Sequence, residues 1–105
     1  MAQIRKRPAA RRDLVQHYIY LAEHAGIETA ERFLANAEKS FEEVARTPGM
    51  GVALPTRLEV LKGLRKWQVG RFEAFLIFYQ PRESGISVIR VLHAAQDWWA
   101  LLGIE

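Results

Sequence analysis

The second half of the chain combines basic and large aromatic side chains that could form a binding surface. Such side chains, close together, are the usual hot spots of protein interfaces. Two adjacent tryptophans on a short helix lie about 100° apart, so we expect one to pack near Val88 and Leu92 and the other to stay exposed. The alternative is that both complete the core. The residues predicted to bind a partner or target are Arg65, Lys66, Trp67, Arg71, Arg90, His93, Trp98 and Trp99.

Several polar residues of this region have structural interpretations. Arg90 lies among apolar residues of a predicted strand, so we expect it to be partly buried and paired with an acid such as Asp97. Tyr79 is expected to be a core residue with a satisfied hydroxyl. His93 ends a strand with no nucleophile beside it, which favours a structural role over catalysis. We therefore predict no catalytic residue.

The composition favours no cofactor and no metal. The chain has no cysteine, so it has no disulfide and no thiolate zinc site, and His17, His24 and His93 are scattered without ligand spacing. No apolar run reaches the roughly 18 residues of a membrane span. The basic N-terminus is followed by no apolar segment of the kind found in secretory signals. A cytoplasmic protein fits these features.

The formal charge of +3 is unevenly distributed. Clusters of this kind suit an acidic partner, which could be nucleic acid or an acidic protein segment. The alternative is a solvated surface that keeps the protein soluble. The two clusters are Arg5, Lys6, Arg7, Arg11 and Arg12, and Arg57, Lys62, Arg65, Lys66 and Arg71.

Three strands are predicted at Leu64 to Val69, Ala74 to Gln80 and Ile86 to His93, where β-branched and aromatic residues are frequent. Their connections are too short for a crossover helix, so the strands form an antiparallel meander. Strict alternation would place Ser87, Ile89, Val91 and His93 on one face, and Ile86, Val88, Arg90 and Leu92 on the other. Both faces are mostly apolar. We expect helices on one, and a short terminal element or a partner on the other.

The preceding half of the chain predicts a short strand, Ala2 to Arg7, and two amphipathic helices hinged at Gly26. The apolar stripe of the first helix consists of Leu14, Tyr18, Leu21, Ala22 and Ala25, with Val15 and Ile19 at its margin. The second helix runs from about Glu28 to Arg46. A short helix is expected within Gln96 to Gly103. The predicted fold is one α+β domain over residues 1–105: an N-terminal strand, and an antiparallel helical hairpin on a sheet of three to four antiparallel strands.

Short motifs in this order resemble the ParE branch of the RelE/ParE toxin–antitoxin superfamily. They include Gly63-Leu64-Arg65, Phe78-Tyr79, and Arg90 to His93 followed by Asp97. The resemblance implies a small cytoplasmic toxin of a type II module, of the plasmid stabilisation type, neutralised by a ParD-like antitoxin. It implies DNA gyrase as the target in the ParE branch, and messenger RNA on the ribosome in the RelE branch.

Two positions favour the ParE branch. Ribonucleases of the RelE branch use basic side chains to stabilise a developing phosphate charge. Aligned with them, the chain has Leu76 and Gln96 where they often carry arginine, and Gln96 also departs from the usual ParE arginine. We therefore predict gyrase inhibition by binding. The alternatives are a RelE-like ribosome-dependent endoribonuclease and a small basic nucleic-acid-binding domain, although no aromatic stacking platform is evident for the latter.

Overall fold

The computed structural model describes residues 2–103 and contains a mixed sheet with helices on both of its faces. Short 3-10 turns at Pro48–Met50 and Glu59–Leu61 interrupt the irregular segment between the second helix and the third strand. No helix within this described range is long and apolar enough to cross a membrane. In chain order the elements are β1 (Gln3–Lys6), α1 (Pro8–Ala25), α2 (Ile27–Arg46), β2 (Val52–Ala53), β3 (Arg65–Val69), β4 (Phe72–Arg82), β5 (Gly85–His93) and α3 (Trp98–Leu102).

The sheet has the order β1-β5-β4-β3-β2. The predicted antiparallel meander is confirmed, because β3 pairs with β4 and β4 with β5, both antiparallel. The sheet has five strands instead of the predicted three to four, because β2 also pairs with β3 at Lys66 and Arg65. It is mixed rather than antiparallel, because β1 runs parallel to β5. A strand of two residues such as β2 shows no periodicity in the sequence.

A β-bulge in β5 changes which residues share a face. Phe78 is opposite Arg90, but the next residue, Tyr79, is opposite Val88, so Ile89 is the extra residue. Beyond Val88 the predicted division of faces is therefore wrong. The helix side receives Ile86, Val88 and Val91, and the other side receives Ile89 and Leu92.

The helices α1 and α2 form a hairpin hinged at Gly26, whose φ of 95° suits glycine. The apolar face of α2 is buried as its pattern predicts. The inner face of α1 is rotated from the predicted stripe, and Val15 and Ile19 at its margin are 58% and 50% exposed. Two polar residues of α1, Asp13 and His17, turn towards the sheet instead.

A second core covers the opposite face of the sheet. There α3 and the irregular segment before β3 contribute buried leucines, which confirms that a terminal element lies on this face. Partly buried Leu54, Leu76 and Trp98 pack against this cluster. Its buried members are Leu61, Leu64, Phe78, Ile89, Leu92 and Leu102.

We predict that Gly85→Ala destabilises the fold. A Cβ at Gly85 would overlap the backbone of Gln3, because the parallel β1–β5 pairing brings the two main chains together there. The expected loss of unfolding free energy is about 2 kcal/mol, as for other overpacked sites. Gly49→Ala is the control, since no heavy atom lies within 4 Å of its added Cβ. Urea unfolding measures both, and equal stability of the two variants would contradict the prediction.

Candidate interaction surfaces

The side chain of Arg90, next to the bulge in β5, extends towards α1 and forms a bidentate ion pair with Asp13. Its Nε donates to Oδ2 at 2.7 Å and its Nη2 to Oδ1 at 2.9 Å. The hydrogen bonds to this carboxylate raise the pKa of Arg90, although burial opposes them. The prediction that Arg90 pairs with an acid is confirmed, but Asp97 as its partner is wrong. Asp97 instead accepts a hydrogen bond from the amide of Ala100 at the start of α3.

The Asp13 carboxylate is buried because α1 packs beside the edge of β5 at the point where the pairing with β1 ends. The last residue of β1, Lys6, is opposite Val88, so the backbone of Val91 has no strand beside it on that edge. Asp13 Oδ2 accepts from the Val91 amide at 2.9 Å. One helical turn later, His17 Nε2 donates to the Val91 carbonyl at 2.7 Å. The two side chains therefore satisfy backbone groups that a strand would otherwise satisfy.

His17 is held neutral by its surroundings. Burial lowers its pKa, against the opposing effects of the Val91 carbonyl and of Asp13, while His93 and Arg90 lower it further. Its ring meets Phe75 and Phe33 edge-on, with centroids 4.9 and 6.0 Å away. Because a carbonyl can only accept, Nε2 carries the proton in this arrangement. The sequence pattern predicts no such role for this histidine, and the one signal for it is the spacing of four residues from Asp13.

The side of the sheet that carries α3 presents an aromatic patch, formed by Lys66, Arg90, Trp98 and Trp99. Trp98 packs on the second core beside Phe78, with ring centroids 5.4 Å apart, and Trp99 stacks on Trp98 at 4.5 Å. The ammonium of Lys66 lies 5.3 Å from the Trp98 ring centroid, a cation–π contact. Both tryptophans are partly exposed. Trp98 packs against the cluster that contains Leu92, as predicted, whereas Val88 faces the helices.

Arg90 connects this patch to the helical hairpin. Besides its bonds to Asp13, its Nη1 donates to the carbonyl of Leu101 in α3 at 3.3 Å. A single guanidinium thus contacts α1 on one side of the sheet and α3 on the other. The aromatic patch is therefore linked to α1 through the ion pair of Arg90 with Asp13.

The other four predicted residues lie elsewhere. Arg65 and Trp67 alternate with Lys66 and therefore face the helices: Arg65 donates to the Gly51 carbonyl at 2.6 Å, and Trp67 packs against the first core. Arg71 is exposed in the β3–β4 turn, with a φ of 64°. His93 accepts a hydrogen bond from the Ala95 amide through Nδ1 at 3.0 Å.

The resemblance to RelE-like ribonucleases singles out Leu76, Gln96 and Tyr79 beside the basic residues Arg65 and Arg90, whose contacts are given above. Tyr79 is fully buried, which confirms its interpretation as a core residue. Its hydroxyl donates to the Pro48 carbonyl at 2.6 Å and accepts from the Gly51 amide at 2.9 Å, and burial raises its pKa. Gln96 accepts from the His93 amide at 2.7 Å. Leu76 packs on the second core. None of these three side chains carries a positive charge.

Metal-ligating side chains are not grouped in the part of the chain that the structure describes. No set of three His, Asp or Glu residues within residues 2–103 could hold a metal ion.

The helical hairpin has an apolar groove on its outer side, the hairpin groove. It has a volume of about 240 Å³ and is lined by Leu14, Val15, Tyr18 and Leu34. A neighbouring hollow brings the exposed residues Arg11 and Arg12 to its border. Part of the apolar stripe of α1 is not buried in the core. It faces solvent beside the basic residues Arg11 and Arg12.

Comparison with known proteins assigns the family. The family model for the ParE toxin of the type II toxin–antitoxin system, parDE, matches residues 4–98. The chain belongs to the ParE toxin family. A search of curated proteins gave no significant match.

A solved structure described as the chromosomal ParDE TA system from P. aeruginosa supports the same fold. It superposes with a TM-score of 0.70 at 17% sequence identity, over 89% of this chain and 96% of that chain. The α+β architecture predicted for a ParE-like toxin is thereby confirmed.

We predict that Asp13→Asn lowers the free energy of unfolding by about 3 kcal/mol. Removing one partner of a buried ion pair leaves the other uncompensated, and the cost is moderated here because Arg90 is partly exposed. Glu38→Gln is the control, because it breaks the ion pair with Lys6 at the surface and should cost less than about 1 kcal/mol. Urea unfolding of both variants decides, and equal losses would contradict a special role for Asp13.

We predict that the stability of the protein falls as the pH drops below about 6.5, partly through His17. Its folded-state pKa lies below the ordinary value of 6.5, so the unfolded chain takes up the proton first as pH falls. The contribution is complete above that value and is lost below it. In His17→Gln, whose amide can still donate to Val91, urea unfolding between pH 5 and 8 should show a flatter profile. An unchanged profile would contradict this assignment.

Proposed function

We propose that this ParE-family toxin inhibits DNA gyrase by binding it and performs no chemistry of its own. The family match over residues 4–98 carries the proposal. The residues at three positions compared with RelE-like ribonucleases also support it. Leu76 and Gln96 are uncharged, and the hydroxyl of Tyr79 is hydrogen-bonded within the core. A ribonuclease would need at least one free acid, base or cation at such positions.

The surface we assign to the target is the aromatic patch. Trp98 and Trp99 are stacked and partly exposed, and Lys66 and Arg90 supply positive charge beside them. Large aromatics next to basic groups are enriched among interface hot spots. The stacking limits rotamer freedom before binding, so less conformational entropy is lost on association.

The surface we assign to the antitoxin is the hairpin groove. An amphipathic helix can bury its apolar side against Val15 and Tyr18 and place acidic residues against Arg11 and Arg12. We therefore propose a ParD-like antitoxin with an acidic amphipathic segment, encoded beside this chain. Both proteins act in the cytoplasm in this proposal, where gyrase works.

We predict that Trp99→Ala abolishes most of the target affinity and leaves the fold intact. Trp99 stacks on Trp98 at the outside of the patch, so its loss removes an anchor and no buried core residue. A hot-spot loss of about 2 kcal/mol corresponds to roughly 30-fold weaker inhibition of gyrase supercoiling. Tyr20→Ala removes another exposed aromatic, on α1, and should leave inhibition unchanged. Equal inhibition by the wild type and Trp99→Ala would move the target surface elsewhere.

Expression of the chain alone in a bacterium distinguishes inhibition of gyrase from cleavage of messenger RNA. Growth, the DNA-damage response and messenger RNA integrity are recorded together, with Trp99→Ala as the matched control. The proposal predicts arrested growth, a DNA-damage response and intact mRNA, with rescue by the neighbouring antitoxin gene. Cleaved mRNA would support a RelE-like ribonuclease, and normal growth would contradict toxicity of this copy.

A further inference from the structure

A basic cleft lies at the edge of the sheet, where β1 runs beside the beginning of β5 and the β4–β5 turn. Its volume is about 530 Å³. Arg5 and Lys6 of β1 line it, together with Arg7 just before α1 and Arg82 at the end of β4. Glu83 is the single acid among the described residues that line it.

Three of the four bases in this cleft have no acidic partner in the described part of the chain. Lys6 is neutralised, because its ammonium lies 2.7 Å from the Glu38 carboxylate. Within residues 2–103, no carboxylate lies within 4.0 Å of the guanidinium groups of Arg5, Arg7 or Arg82. Like charges gathered without counter-charges repel one another, and a bound anion relieves that repulsion.

Arg82 is held in place by a buried side chain. Gln80 is only 2% exposed, and its amide nitrogen donates to the carbonyls of Val60 and Lys62, each at 2.9 Å. Those bonds fix the orientation of the amide, whose oxygen accepts from Arg82 Nη2 at 3.0 Å. The guanidinium is thereby oriented before any ligand arrives, which reduces the entropy cost of binding.

Arg5 belongs to the same face of the sheet. In register, Arg5 of β1 is opposite Ser87 of β5, and Ser87 is opposite Gln80 of β4. Ser87 is 2% exposed and forms the middle of this row. Because Arg82 follows Gln80 by two residues along its strand, its side chain is on that face as well. Arg5 and Arg82 therefore flank a polar floor from two different strands.

We propose that this basic cleft binds the phosphodiester backbone of a nucleic acid. Guanidinium groups match phosphate oxygens in geometry and charge. Among the described residues that line the cleft, Pro8 is the exposed apolar member, and the one large aliphatic residue, Ile86, is 2% exposed. An amphipathic peptide would need a larger apolar surface to bury its side chains. The described lining also has no aromatic residue on which a base could stack, so recognition is independent of sequence. Nucleic-acid binding at this cleft does not require gyrase to be the target.

The test is fluorescence anisotropy with the full chain and a labelled 20-base-pair DNA duplex, from 50 to 300 mM salt. Arg5→Gln/Arg82→Gln is compared with Arg32→Gln/Arg46→Gln, which removes the same charge from α2. We expect about tenfold weaker binding at the lowest salt for the cleft variant. We also expect a salt slope smaller by about 1.8, or about 0.9 for each phosphate that the variant no longer neutralises. The α2 variant should bind like the wild type, with circular dichroism confirming that both are folded.

Competitors identify the anion. A single-stranded RNA that displaces the duplex supports the proposal, because it carries the same phosphodiester. Displacement by polyglutamate at equal charge concentration would overturn it in favour of an acidic polypeptide. Displacement by inorganic phosphate below millimolar concentration would overturn it in favour of a small-anion site. If the α2 variant weakened DNA binding as much as the cleft variant, binding would depend on net charge alone and the proposal would be wrong.

Discussion

The carboxylate of Asp13 is the group on which the arrangement of the other elements depends. It accepts two hydrogen bonds from the Arg90 guanidinium and one from the Val91 amide. Through Val91 it attaches α1 to the edge of β5, and through Arg90 it reaches the carbonyl of Leu101 in α3. A buried acid is costly without such partners. All three of its bonds go to neighbouring residues of β5, and Arg90 extends the connection to α3. The two faces of the sheet are thus connected through one residue.

This arrangement explains why apolar and aromatic side chains remain exposed on both sides of the sheet. Because Asp13 and His17 occupy the inner face of α1, the apolar residues Val15 and Tyr18 are turned towards the outside. On the other face, α3 seals the second core with Leu102 and Trp98, and leaves Trp99 stacked at the surface. Polar contacts that stabilise the fold therefore determine where apolar side chains remain available for binding.

The sequence was sufficient to predict the helices and every strand except β2, because hydrophobic periodicity reports burial directly. The apolar face of α2, the β3–β5 meander and the placement of α3 over the sheet follow from such patterns. The bulge at Ile89 could not be read from alternation, since one extra residue leaves the composition of a strand unchanged and reverses its faces. The pairing of Arg90 with Asp13 rather than Asp97 depends on the position of α1 beside β5, which the pattern of a strand does not report. Arg65 and Trp67 face the helices because they alternate with Lys66 along β3.

The sequence also could not show how the basic residues are arranged in space. Counting charges located the clusters, but only the register of β1 against β5 brings Arg5 to the face that carries Arg82. Only the three-dimensional structure distinguishes Lys6, which is neutralised by Glu38, from the neighbouring arginines. Charge in the sequence therefore suggested a class of partner, whereas the structure shows which of the basic residues already has an acid beside it.

The most direct test of the account is a reconstituted assay in which the purified chain is titrated into DNA gyrase and, separately, into ribosomes carrying messenger RNA. If the toxin acts by binding gyrase, supercoiling stops at near-stoichiometric toxin, addition of the antitoxin restores it, and the mRNA stays intact. Uninhibited gyrase together with cleaved mRNA would contradict the claim that this fold acts by binding alone.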